Sequence, residues 1–110
     1  MRIVNLKEFL TMPDGTIFCK FEPSVFDSMC IKIESISPVD FYYCSLIGEI
    51  AGSRYSALEE PEYPSFSFDL NVVRRDGCFD ENQLFAVYED SDIENLISTL
   101  QRSLTRKPAV

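Results

Sequence analysis

The chain has 110 residues, 45% of them apolar and 13% aromatic, which suffices for one hydrophobic core and is too little to divide into two. Its formal charge of −8, from 18 acidic and 10 basic residues, works against direct binding to nucleic acid or to anionic membrane surfaces. Histidine is absent, which removes Ser-His-Asp and Cys-His nucleophile activation, His-containing zinc sites, and the side chain best suited to proton transfer near neutral pH.

Arg2-Ile3-Val4 reads as a short strand, followed by a helix of about two turns with a well-marked start. Asn5 is the N-cap, Glu8 completes a capping box, and Val4 with Phe9 is spaced as a hydrophobic staple. Pro13 ends the helix, and Asp14-Gly15 turns the chain. From Thr16 the period becomes two, giving a strand to Glu22 that closes at Pro23. Met29 to Glu34 alternates, with Cys30, Lys32 and Glu34 on one face and Met29, Ile31 and Ile33 on the other. Phe41 to Ile47 is a third strand, rich in aromatics that favour the pleated sheet.

Residues 48 to 64 hold two glycines, two prolines and a group of acids, so a solvated loop is expected, with a helical turn around Ala57 to Glu60. Phe66, Phe68, Leu70 and Val72 alternate with polar residues as a half-buried strand, and Arg74-Arg75-Asp76-Gly77 is expected to turn the chain. Asp80 to Gln83 fits one capped turn, and Leu84 to Tyr88 a more fully buried strand. Ser91 with Glu94 forms a second capping-box pattern, and Ile93, Leu96, Ile97, Leu100 and Leu104 recur at helical spacing. A C-terminal amphipathic helix packed on the sheet follows.

The expected fold is α+β in a single domain over residues 1–110. About five mostly antiparallel strands form a curved sheet or small barrel, carrying a short N-terminal and an amphipathic C-terminal helix.

The start of the chain lacks the apolar core of a secretory leader, and no apolar run is long enough to span a bilayer, so the expected location is the cytoplasm. In that reducing setting Cys19, Cys30 and Cys44, each inside an apolar strand, are expected to pack as small hydrophobes. No CxxC pair, phosphate-cradling glycine loop or twelve-residue calcium loop is present, so no cofactor or metal is expected. Asp90-Ser91-Asp92 is read as a helix start, where negative charge is favourable. Arg74-Arg75 matches an anion clamp in chemistry, but amid so many acids it is read as an intramolecular partner for them.

Charge is uneven: between Glu59 and Glu94 stand eleven acids against Arg74 and Arg75. Candidate partner-binding residues are Tyr55, Glu59, Glu60, Glu62 and Tyr63 in the loop, tyrosine offering a large amphipathic contact surface. Asp76, Asp80, Glu81, Glu89, Asp90 and Asp92 continue the acidic run, and both groups are expected to lie on one side of the molecule.

Arg2-Ile3-Val4 with Lys7-Glu8-Phe9, Gly15 to Phe18, Lys20 to Pro23, Arg75-Asp76-Gly77, Phe79-Asp80-Glu81 and Gln83 to Glu89 resemble a group of small phage and prophage proteins of unassigned function. The resemblance covers both ends and leaves roughly residues 35 to 70 unmatched. It implies an accessory role of the kind played by inhibitors of host defence, anti-CRISPR proteins and acidic DNA mimics among them. The expectation is a non-enzymatic inhibitor that binds a host protein, a nucleic-acid-handling or CRISPR-defence component, through its acidic surface. The alternative is a phage structural or assembly protein that self-associates through Phe41 to Ile47 or a sheet edge, or binds another virion protein. A hydrolase built on Asp80, Glu81, Asp90 and Asp92 with a metal ranks below both.

Overall fold

A computed structural model describes residues 1–23, 25–47, 49–50 and 68–109. The fold is α+β, and its strands are antiparallel throughout. The elements run β1 (Arg2–Asn5), α1 (Leu6–Leu10), β2 (Ile17–Glu22), β3 (Val25–Ser37), β4 (Asp40–Ser45), β5 (Glu49–Ile50), β6 (Phe68–Asp69), β7 (Val73–Arg75), β8 (Leu84–Val87) and α2 (Asp90–Leu104). Six strands make one sheet in the order β1-β8-β2-β3-β4-β7, while β5 and β6 pair separately. β1 and β7 are its two edges, so the sheet is open rather than closed into a barrel.

β2, β3 and β4 form a meander, and β8 enters between β1 and β2, pairing Ile3 with Ala86 on one side and Phe18 with Val87 on the other. Register shifts between Cys19 and Phe21, Lys32 and Glu34, and Ser35 and Ser37 mark bulges, which bend strands and increase their twist. β3 is thirteen residues long, extending well beyond the alternating core from Met29 to Glu34.

The helix starts at Asn5 as its local sequence predicts, but only the Asn5 half of the expected capping box forms. The Asn5 side chain accepts from the Glu8 backbone N–H at 2.9 Å, while the Glu8 carboxylate lies 3.4 Å from Arg2. Val4 and Phe9, placed to staple this turn, both enter the core. That core is a cluster of phenylalanines under α1. Phe9 stacks on Phe85 with centroids 4.2 Å apart and meets Phe18 and Phe41 edge-on at 4.7 and 5.0 Å. Val4, Leu6, Cys30 and Val87 complete it. Edge-to-face pairs of this kind contribute about 0.5–1.5 kcal/mol each beyond area burial, so the cluster fixes α1 against β2, β4 and β8.

Lys32 lies inside this cluster at 1% exposure. Its Nζ donates to the carbonyls of Phe9 (3.3 Å), Leu10 (3.3 Å) and Met12 (2.6 Å), and sits 5.4 Å from the centre of the Phe9 ring. The Phe9 and Leu10 carbonyls also accept from the Met12 N–H and the Ser35 hydroxyl, and Lys32 adds a cation at the C-terminal end of α1, where the helix dipole favours one. Burial nevertheless pulls the Lys32 pKa down from its ordinary value.

Three expectations are corrected here. Arg74 and Arg75 do not turn the chain but form β7, with Tyr42 opposite Arg75 and Tyr43 opposite Arg74. The turn comes after them, at Gly77 (φ 65°) and Phe79 (φ 51°). The C-terminal helix forms as expected but starts earlier: Glu89 is its N-cap, and Asp92, not Glu94, reaches back to accept from the cap backbone N–H at 2.8 Å. None of its residues is fully buried and only Asp92, Ile93 and Leu96 are half-buried, so the stripe from Ile97 to Leu104 is not packed on the sheet. Among the described residues no helix is long and apolar enough to cross a membrane. The loop expected over 48 to 64, its helical turn, and Phe66 of the expected strand fall outside the described residues, save the two of β5.

Candidate functional site

Beyond α1 the same face of the sheet opens into a cleft of about 250 Å³. Its floor is the margin of the core: Phe18 from β2, Cys30 from β3 and Phe41 from β4. Its rim carries charge: Lys20 from β2, Asp27 from β3, Arg74 from β7 and Asp76 just after it, with Tyr43 between.

The wall formed by β7 and its turn is held by one buried carboxylate. Asp40, 0% exposed, accepts from the backbone N–H of Phe41 and of Gly77, both at 2.9 Å, and from Nε of Arg75. Asp76 N–H donates to the Phe41 carbonyl at 3.0 Å, and the Arg75 guanidinium lies 5.5 Å from the Phe79 ring. Burial acts to raise the Asp40 pKa, but the Gly77 N–H, Arg75 and the Phe41 N–H outweigh it and hold the carboxyl below its ordinary value. The intramolecular reading of the arginine pair therefore holds for Arg75.

That anchoring brings Asp76 to 2.6 Å from Lys20 Nζ. The Asp76 side chain is 7% exposed and that of Lys20 26%, so the pair is largely withdrawn from water. Burial alone would lower the Lys20 pKa, but Asp76 more than offsets it and the value rises. Burial pushes the Cys30 thiol up to about 11 and raises the Tyr43 phenol. All three groups therefore titrate further from neutrality than usual.

The expected contact residues divide into four sets. Tyr55, Glu59, Glu60, Glu62 and Tyr63 lie outside the described residues. Asp76 is committed to Lys20. Asp80 accepts from the Asn82 N–H at 2.9 Å and orders the turn before β8, with Glu81 exposed beside it. Glu89, Asp90 and Asp92 gather at the start of α2, where the Met1 amino group lies 2.8 Å from Asp92 and 3.5 Å from Glu89. Hydrogen bonding to that amine, and to the Glu89 N–H, holds the Asp92 carboxyl below its ordinary value. Among the described residues no three cysteines or acids converge in a geometry that could hold a metal ion.

Cys19, Cys30 and Cys44 are buried in their strands, and Cys19 Sγ lies 3.4 Å from the Tyr88 hydroxyl. Cys78 is exposed, 3.5 Å from Lys20 Nζ. β4 is an interior strand with Phe41 0% exposed, so the aromatic segment expected to mediate self-association offers no free edge. Asp40 and Lys32 were not legible as site-forming residues. The one available signal was Lys32 sharing a strand face with Cys30. No protein-family model, curated protein or solved structure matches the chain.

Proposed function

We propose that this chain is a non-enzymatic accessory protein that binds another protein through its acidic surface, the partner being a host factor whose own surface is basic because it handles nucleic acid. The observation that carries the reading is the concentration of eleven acids against two arginines between Glu59 and Glu94. Of the described acids in that stretch, Asp80, Glu81, Glu89, Asp90 and Glu94 are exposed. A field of one sign steers a complementary partner and repels nucleic acid. The phage-like sequence segments agree with such a role, since a small inhibitor needs a rigid scaffold and a recognition loop but no catalytic group.

The test is the triple variant Glu59→Lys, Glu60→Lys, Glu62→Lys, which reverses the charge of the loop. Partner capture by the wild-type chain, lost in the variant while its circular dichroism is unchanged, supports the reading. Unchanged capture by a folded variant sinks it.

A further inference from the structure

α2 is a fifteen-residue helix with no fully buried residue; Asp92, Ile93 and Leu96 near its start are half-buried, and from Ile97 onward its apolar stripe is exposed. Ile97, Leu100 and Leu104 are 49%, 65% and 82% exposed. With Ile93 they fall at successive spacings of four, three and four residues, the seam of a two-helix coiled coil. Exposed apolar stripes of this kind mark interaction sites. Charge is polarised along this segment: Glu89, Asp90, Asp92 and Glu94 at the helix start, Arg102 in its last turn, and Arg106 and Lys107 just beyond its end at Leu104.

We infer that this stripe docks on the same stripe of a second copy, the two α2 helices running antiparallel about a two-fold axis near Ser98 and Thr99. The stripe is self-complementary in that register. Ile93 of one copy faces Leu104 of the other, and Ile97 faces Leu100, so all four apolar positions on each helix find an apolar partner. The same alignment sets Asp90 at the end carrying Arg106 and Lys107, and the two helix dipoles oppose. A parallel pair would instead place the acids of both copies together and the bases of both together, which is unfavourable on both counts. A two-fold contact of one patch with itself is also the commonest route to a closed dimer. Two helices about 22 Å long bury less than a standard interface, so the dimer is reversible on dilution. Self-association through α2 does not rest on the proposed function: the leucine substitutions below leave every acid of the acidic surface in place, so they should lose the dimer and keep partner capture.

Sedimentation equilibrium on the full chain over a wide concentration range tests this. The weight-average mass is expected to rise from 12.6 kDa toward twice that value. Leu100→Glu and, separately, Leu104→Glu should remain at the monomer mass with unchanged circular dichroism. Both side chains are largely exposed in the monomer, and the second substitution guards against loss of helix in the first. Asp90→Lys should weaken the dimer, and adding Lys107→Asp should restore it if the helices run antiparallel. A wild-type chain monomeric at every concentration, or a dimer that survives both glutamate substitutions, overturns the proposal. Failure of the second charge swap to restore the dimer overturns its antiparallel register.

Discussion

Replacing Asp40 with alanine removes the acceptor that holds β7 and the turn after it to β4. Three donors lose their partner: the Gly77 and Phe41 N–H groups and the Arg75 guanidinium. Leaving a buried donor unsatisfied costs about 1–3 kcal/mol. The Phe41 N–H sits beside a fully buried side chain and loses the most, whereas Gly77 is in an exposed turn that water can reach. The Arg75 side chain is 56% exposed, so it is rehydrated and the lost ion pair adds little. The expected loss is therefore about 2–3 kcal/mol in the free energy of unfolding, read from urea titration by fluorescence or circular dichroism. Asp40→Asn keeps one acceptor oxygen and should lose less. The pH dependence follows from the depressed pKa of Asp40 in the fold, against an ordinary value of 3.8. The stabilisation is complete above the ordinary value and is lost as pH falls through the lower folded one, so the gap between wild type and Asp40→Ala should narrow in acid. A loss below about 0.5 kcal/mol near neutral pH, the range of ordinary surface substitutions, would refute the idea that Asp40 anchors this wall of the cleft.

Two further outcomes are expected. Phe9→Ala empties the centre of the phenylalanine cluster and should cost about 3–5 kcal/mol in thermal or chemical unfolding, the cost of truncating a fully buried aromatic; a cost under about 1 kcal/mol would mean that α1 does not close the core. Brief iodoacetamide treatment of the native chain near pH 7 should modify Cys78 first, since it is exposed while Cys30 is buried with its thiol pushed up to about 11. Peptide mapping that finds Cys30 labelled as fast as Cys78 would contradict that burial.

What could be read from the sequence was what is decided locally. The Asn5 cap, the Val4–Phe9 staple, the strand from Ile17 to Glu22 and the buried strand at Leu84 each depend on residues a few positions apart, and all four appear. The start of α2 slipped because Glu89-x-x-Asp92 and Ser91-x-x-Glu94 fit a capping pattern equally well in spacing. The choice is made by where β8 ends at Val87, which the local pattern does not encode. The stripe on α2 was legible, but a stripe states only that a helix has an apolar face, not what that face meets. Arg74-Arg75 before Asp-Gly looked like a turn in isolation. Pairing to β4 and the Asp40 carboxylate, 35 residues away from Arg75, make it a strand instead. Lys32 is the clearest case of tertiary context overriding pattern. A lysine in an alternating strand belongs in water by composition, and only the three carbonyls brought to it by α1 make its burial tolerable.

The claim that the acidic surface binds a basic protein partner is tested most directly by the salt dependence of that binding. A partner retained by the immobilised chain from host extract is purified, and its affinity is measured by calorimetry from about 50 mM to about 500 mM salt, a range over which the screening length falls to a few ångströms. Steep weakening with salt, with the Glu59→Lys, Glu60→Lys, Glu62→Lys variant already weak at the low end, is the predicted result. An affinity flat across that range, and equal for wild type and variant, would contradict it.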